Sequence, residues 1–184
     1  MPVTPNDMNH YWRAAGRSNW FKKSAAFDDA LRLRFELVHH AAARAEYDNW
    51  GETAEGALAL VLLLDQIPRN IYRGSAHAFA TDPKARSIAK IVVARGYDLQ
   101  VEPNLRPFFY LPFEHSEDRV DQTESVRLTT QLRDQTGDED TLKWALIHQD
   151  IVARFGRFPH RNSAFGRVNT AEEELFLKNG GFSG

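Results

Sequence analysis

A short stretch with the sequence GRFPHRN, from Gly156 to Asn162, concentrates side chains that can do chemistry. Its arginines, Arg157 and Arg161, carry planar guanidinium groups that bind carboxylate or phosphate through two parallel hydrogen bonds. His160 can gain or lose a proton near neutral pH, and Asn162 supplies both a donor and an acceptor. These residue types fit the binding of an anion, a catalytic site, or a structural clamp inside the protein.

Two further stretches carry related side chains, LLLDQIPRNIYRG and the acidic LPFEHSED. They supply the remaining candidate ligand-binding residues, which are Asp65, Arg69, Asn70 and Arg73 in the first stretch and His115 in the second. A histidine among carboxylates can be tuned for proton transfer. Arginines close to helix ends are good receivers for anions. We therefore predict a pocket whose walls are these two stretches and GRFPHRN.

The charges of these stretches are segregated along the chain. Residues 151–171 contain four arginines and no acid, whereas residues 114–124 contain five acids and one arginine. Arginines bind carboxylates as readily as they bind free anions, and a buried arginine must be paired. The alternative is therefore that the acids neutralise the arginines in a buried network that joins helix ends.

The composition excludes several classes of protein. The chain has 184 residues, 42% of them hydrophobic, which is enough for one hydrophobic core. Its net charge of −2 provides no general attraction to nucleic acid or to anionic lipid, so neither is an expected partner. The longest apolar run, Ala57–Leu64, is far shorter than the ~20 residues that cross a bilayer. With no cysteine and no signal-like N-terminus, the sequence predicts a soluble cytoplasmic protein.

Motifs for cofactors and metals give little signal. The chain has no glycine-rich phosphate loop and no G-x-S-x-G motif. Glu36 and His39 form a single Glu-x-x-His pair, whereas di-iron bundles need two such pairs and further glutamates. The adjacent His39 and His40 point about 100° apart on a helix. We predict neither a metal site nor a cofactor.

Hydrophobic periodicity and capping residues predict about seven helices. The first follows Lys23 and has an apolar face that comprises Phe27, Leu31, Phe35, Val38, Ala42 and Ala45. Thr53 is the predicted N-cap of the second helix, which is apolar on all sides and is therefore expected in the core. Pro68 is expected to interrupt this second helix.

The remaining five helices follow from similar signals. Asp82 as N-cap, Pro83 in the first turn and Gly96 at the end bound the third helix. A short helix is expected in PFFYLPFEHSED, and others from 121 to 133, from 138 to 155, and after Thr170, where Thr170 and Glu173 form a capping box. No linker divides the chain, so the prediction is a single all-α domain, residues 1–184.

Several blocks of the sequence resemble one bacterial family, known as domain of unknown function 924. The blocks are WFKKSAAFDDALRLRF, LLLDQIPRNIYRG, AFATDPKA, PFFYLPFEHSED and RFGRFPHRN, and the resemblance extends roughly from Tyr11 to Leu177. The resemblance implies a tetratricopeptide-like stack of antiparallel helix pairs, and it brings no activity, substrate or cofactor. Ile67 replaces the aromatic residue expected in DQFPRN. The tetratricopeptide consensus residues are absent.

Two hypotheses about function follow from the sequence. The first is a pocket for a small ligand that bears phosphate or carboxylate groups, with or without catalysis. The second is a protein-interaction or scaffold module of tetratricopeptide-like type, in which the polar stretches are structural and the partner is another protein.

Overall fold

The computed structural model describes residues 3–183, and in this range all regular secondary structure is helical. The α-helices are α1 (Pro5–Ala15), α2 (Arg17–Trp20), α3 (Ala25–Ala43), α4 (Ala54–Val61), α5 (Ile67–Ile71), α6 (Asp82–Ala94), α7 (Pro107–Glu114), α8 (Arg119–Thr136), α9 (Glu139–Phe155) and α10 (Ala171–Lys178). Leu62–Gln66 form a π-helical turn between α4 and α5. The 3₁₀ turns are Asp48–Glu52, Ala76–Phe79, Asp98–Gln100 and Pro159–Arg161. The prediction of an all-α fold is confirmed.

The seven predicted helices correspond to α3, α4 and α6 to α10, and the sequence reading missed α1, α2 and α5. The start of α1 carries a clear local signal. The Thr4 hydroxyl accepts a hydrogen bond from Asp7 N, the Asp7 carboxylate accepts one from Thr4 N, and Pro5 occupies the first turn. These contacts form a capping box, which satisfies backbone donors that have no partner inside the helix.

Local signals predicted most helix starts correctly, with small errors. Thr53 caps α4 through a hydrogen bond from Gly56 N, as expected. Asp82 was predicted to cap α6, but the cap is Thr81 and Asp82 is the first helical residue. Ala45 was predicted on the buried face of α3, but α3 ends at Ala43 and Ala45 is exposed, with a φ of 69°.

Helix α4 and the π-helical turn form the centre of the core. Every residue from Ala57 to Leu64 is 1% exposed or less. The buried face of α3, with Leu31, Phe35 and Ala42, belongs to the same core. The prediction that the most apolar helix is buried is confirmed.

Pro68 does not end the helical path, which continues from α4 through the π-helical turn into α5. Ile67 N donates to Leu62 O, five residues back, so Leu63 O loses its usual helical donor. Pro68 has no N–H, so Leu64 O loses its donor as well. His39 Nδ1 lies 2.8 Å from Leu63 O, and the Thr81 hydroxyl donates to Leu64 O. Side chains from two other segments therefore satisfy the two carbonyls that have no helical donor in this turn.

The described chain forms two compact units. The first comprises the described residues up to Arg73 together with His77–Pro112, and the second comprises Gly74–Ala76 and the described residues from Phe113 onward. In the second unit α8 and α9 pack against each other and are joined at Gly137, whose φ of 77° ends α8 in the left-handed conformation. Within residues 3–183, no helix has the length and hydropathy needed to span a membrane. A single domain and a tetratricopeptide-like stack stay predictions.

Candidate functional site

The predicted site residues are divided between the two units. Asp65, Arg69, Asn70 and Arg73 belong to the first unit, and His115, Arg157, His160, Arg161 and Asn162 belong to the second. Each group has its own internal contacts, which are described separately.

In the first unit, Arg69 is held by carboxylates of the protein itself. Its two terminal nitrogens donate to the two oxygens of Asp82 at 2.7 and 2.8 Å, and Nη1 lies 3.1 Å from Asp65 Oδ1. Asp65 is fully buried, and it also accepts a hydrogen bond from Gln66 Nε2 at 2.6 Å. The Arg69 guanidinium also lies 5.6 Å from the centre of the Phe79 ring, on its face. Arg69 is thus paired inside the protein, as in the structural alternative, but its carboxylates are Asp82 and Asp65 and not those of residues 114–124.

The other two residues of this group also make structural contacts. Asn70 Nδ2 donates to Gln66 O at 3.0 Å, just as Arg69 donates to Asp65 O at 2.8 Å, so both residues bind carbonyls of the π-helical turn. Arg73 donates to both oxygens of Asp28, at 2.6 and 3.1 Å, and to Asn70 Oδ1 at 2.7 Å. In DQIPRN, Arg69 and Asn70 therefore follow Asp65 and Gln66 by four residues, which lets their side chains donate to carbonyls of the interrupted helix.

In the second unit, Arg157 is bound to Glu173 of α10. Its Nε and Nη2 donate to the two carboxylate oxygens at 2.6 and 2.8 Å, and Nη2 also donates to Val168 O. The hydrogen bonds from Arg157 lower the pKa of Glu173 to about 2, and those from the Thr170 backbone and from Asn162 act in the same direction. Asn162 Nδ2 also donates to Asn169 Oδ1 at 2.8 Å. Glu173 therefore joins the GRFPHRN stretch to the start of α10.

Arg161 and His160 lie around a buried phenyl ring, that of Phe158, and His115 is joined to Arg161 through its backbone carbonyl. The Arg161 guanidinium lies 4.4 Å from the ring centre and donates to His115 O at 2.9 Å. The His160 ring is 5.7 Å from the same ring. Arg161 is only 5% exposed, whereas His115 and His160 are partly exposed. These three predicted residues are brought together in one part of the second unit.

The sequence reading missed a fourth member of this group, His148. Its ring is 5.5 Å from Phe158, 4.5 Å from Phe182 and 6.4 Å from His115. His148 Nδ1 lies 2.8 Å from Trp144 O and 3.2 Å from Glu114 Oε1. We call His115, His148, His160 and Arg161, with Glu114 and Phe158, the histidine cluster.

The geometry of His148 determines which ring nitrogen carries the hydrogen. A backbone carbonyl can only accept, so Nδ1 carries the hydrogen and donates toward Trp144 O and Glu114. A carboxylate on this side of the ring orients the imidazole. The sequence signal was available, since His148 lies between the buried Ala145 and Val152 at helical spacing.

The Glu-x-x-His pair of α3 has other contacts. The Glu36 carboxylate accepts a hydrogen bond from the Tyr72 hydroxyl at 3.0 Å, and burial, followed by this bond, raises the pKa of Tyr72 to about 12. His39 binds Leu63 O, and burial is the main reason why its pKa is lowered. Among residues 3–183, no group of three or more histidine or acidic side chains is placed to hold a metal ion.

The fold and these sites define an all-helical protein with buried arginine–carboxylate pairs and one cluster rich in histidine. A family model described as bacterial protein of unknown function, DUF924, matches residues 8–181, and the chain belongs to this family. A solved structure of a protein of unknown function from Agrobacterium tumefaciens is 48% identical to the chain. It matches with a TM-score of 0.90 over 95% of this chain and 97% of the other. No curated protein matches the chain. The resemblance noted in the sequence is confirmed.

Proposed function

We propose that the protein binds a small anion, bearing phosphate or carboxylate groups, at the histidine cluster of its second unit. The observation that carries this proposal is the gathering of Arg161, His148 and His160 around Phe158, with the His115 ring 6.4 Å from that of His148. Arg161 supplies a permanent positive charge and the imidazole rings supply N–H donors, and both suit an anionic ligand, whereas the Glu114 carboxylate of the cluster is directed to His148 Nδ1. The partial exposure of His115 and His160 supports access from solvent.

Three other predicted arginines would have to exchange a carboxylate of the protein itself for the ligand. An arginine whose guanidinium already binds a carboxylate through two hydrogen bonds must give up that pair to bind a free anion. Arg69, Arg73 and Arg157 are in this position, with Asp82, Asp28 and Glu173 as their respective carboxylates. A ligand-binding role for these arginines, and for Asp65, Asn70 and Asn162, stays a prediction.

The orientation of His148 supports acid–base chemistry as a second part of this proposal. Nδ1 is directed to Glu114 and Trp144 O, so the imidazole is held in one orientation. A histidine held in this way beside a bound ligand can take part in acid–base chemistry. The proposal therefore covers binding alone as well as acid–base chemistry on the bound anion. The absence of cysteine suits a reducing compartment, so the cytoplasm stays the predicted location.

The proposal is tested by thermal unfolding with inorganic phosphate and with succinate, at constant ionic strength. A ligand at 100 times its Kd stabilises the folded state by about 2.7 kcal/mol. For a chain of this size the melting temperature should then rise by about 5–10 °C. Arg161→Lys keeps the charge but loses the planar guanidinium, so this variant should lose most of the rise.

The matched control is Arg154→Lys, because Arg154 is half exposed and binds Glu172 away from the cluster. Arg154→Lys should keep the full rise in melting temperature, because the substitution leaves the cluster unchanged. The control is needed because phosphate also stabilises proteins through exclusion from their surface. Titration of the histidine ring protons by NMR gives a second measurement, in which the signals of His115 and His160 should move with saturating dependence on the anion. Equal rises in all three proteins, with no such movement, would overturn the proposal.

A further inference from the structure

Helix α3, together with Arg44 at its C-cap, has a stripe of exposed side chains on the side that faces solvent, and the first four of its six members are apolar. Its members are Ala26, Ala30, Leu33, Leu37, His40 and Arg44, which succeed one another at steps of four, three, four, three and four residues. All six are exposed, and Leu33 and Leu37 are 92% and 83% exposed. We call this stripe the α3 seam.

The spacing of the α3 seam is that of a helix that packs along another helix. Steps alternating between three and four residues keep the side chains on one line, as at the a and d positions of a coiled coil. The core of the protein does not use this line, because α3 buries its opposite side, with Leu31, Phe35 and Val38. Two leucines one turn apart, both almost fully exposed, form an apolar site larger than scattered surface residues do.

We propose that the α3 seam is a dimer interface, in which the α3 helices of two copies of this chain pack antiparallel around a twofold axis between Leu33 and Leu37. In a twofold interface, if one residue contacts another, the reverse contact occurs as well. Leu33 then lies against the second copy's Leu37, and Leu37 against its Leu33. The apolar centre of the seam is thereby complementary to itself.

The ends of the seam also fit this arrangement. Ala30 lies opposite His40 of the second copy, and Ala26 lies opposite its Arg44, so each small side chain faces a large one. Such alternation keeps two helices at a constant distance. Asp29, next to the seam and exposed, comes close to Arg44 of the second copy, which places opposite charges together at both ends, beside the pair that Arg44 makes with Glu46 of its own copy. The antiparallel helix dipoles add to this attraction.

A parallel pair of the same helices is disfavoured by the same residues. Arg44 would face Arg44, which places like charges together at one end. Ala26 and Ala30 would face their own copies at the other end and leave a gap. The steric and electrostatic arguments therefore select the antiparallel arrangement.

The size of the surface predicts a weak dimer. At a rise of 1.5 Å per residue the seam is ~27 Å long, and a helix is ~10 Å wide, so each copy contributes a strip of roughly 270 Å². Stable interfaces bury ~800 Å² per partner. The dimer should therefore form in a concentration-dependent manner, over the range of tens of micromolar to millimolar.

Sedimentation velocity of the full chain over this range tests the proposal. The wild type should shift from monomer toward dimer as the concentration rises, and Leu33→Lys should remain monomeric throughout. Leu175→Lys is the matched control, because Leu175 is 58% exposed and lies on α10. It should dimerise like the wild type. A wild type that is monomeric at 1 mM, or equal association of all three proteins, would overturn the proposal.

The geometry can be tested separately, because the chain has no cysteine. Ala30→Cys and His40→Cys are prepared as two single variants, mixed under mild oxidation and analysed by intact mass. Antiparallel packing predicts that the mixed disulfide exceeds both self-disulfides several-fold, and that Leu175→Cys shows only the collisional background. An excess of the Ala30→Cys self-disulfide would overturn the antiparallel register, since that product requires parallel helices.

Discussion

The pair between Arg157 and Glu173 allows a quantitative test of how GRFPHRN is fixed in the fold. Glu173 is 2% exposed, and it accepts hydrogen bonds from Arg157 Nε and Nη2. Glu173→Gln removes the negative charge but keeps a side chain that can still complete the capping box with Thr170. The substitution therefore isolates the electrostatic part of the interaction.

The lowered pKa of Glu173 gives the size of the expected loss in unfolding free energy. Its fall from 4.5 to about 2 corresponds to a stabilisation of about 3 kcal/mol at neutral pH, at 1.36 kcal/mol per pH unit. Arg157 is 27% exposed, so solvent screening reduces the expected loss in Glu173→Gln to about 1–2 kcal/mol. The lowered pKa means that this stabilisation is complete above pH 4.5 and is lost as the pH falls toward 2, with about half remaining near pH 3.3.

Urea unfolding of both proteins at pH 7, 4.5, 3.5 and 3 measures this effect. The difference in unfolding free energy should be constant from pH 7 to about 5 and should shrink below it. Glu172→Gln is the matched control, because Glu172 is the neighbouring residue and its pair with Arg154 is half exposed. That control should cost no more than about 0.5 kcal/mol. A loss in Glu173→Gln that is equal to the control, or unchanged down to pH 3, would refute the electrostatic reasoning.

Three other predictions concern the first unit, and urea unfolding measures each of them. Leu62→Ala should lower the unfolding free energy by about 2–5 kcal/mol, because Leu62 is fully buried and its removal opens a cavity. Thr81→Val should lower the unfolding free energy by about 1–3 kcal/mol, because it removes the donor to Leu64 O. The loss should be smaller in a Pro68→Ala background, where residue 68 regains an N–H. Additive losses would contradict our account of the π-helical turn. Burial lowers the pKa of His39 below 6.5, so the unfolding free energy should fall as the pH falls from about 6.5. His39→Asn should make the unfolding free energy less dependent on pH in this range. An unchanged dependence on pH would contradict this prediction.

The sequence predicted the parts of the candidate site but not their grouping. It identified Arg161 and His160, which lie around Phe158, and His115, whose carbonyl binds Arg161, but it missed His148, which also lies at Phe158. It also suggested that the acids of residues 114–124 would neutralise the arginines, whereas the carboxylates that bind Arg69 and Arg157 lie outside that stretch. Glu173 is 16 residues from Arg157, and Asp82, which binds Arg69 through two hydrogen bonds, is 13 residues from it. No local pattern encodes such pairings, because they depend on how the helices pack.

Glu173 illustrates this division within a single residue. The sequence assigned it to the capping box of α10, and this assignment is confirmed. Its pairing with Arg157 was not foreseen, although that pairing has the larger effect on its pKa. The capping role follows from the spacing to Thr170 alone, whereas the pairing requires two helices to meet.

The sequence by itself determined the all-α class, the starts of most helices and the buried position of α4. These features depend on hydrogen bonds and hydrophobic periodicity within a few turns of chain, which the order of residues encodes directly. The tertiary structure alone decided that the helix continues past Pro68. The proline removes a local hydrogen bond, and only the arrival of His39 and Thr81 from other segments provides replacement donors for the open carbonyls. The same holds for the α3 seam, because only packing shows which of two apolar faces of one helix the core has left uncovered.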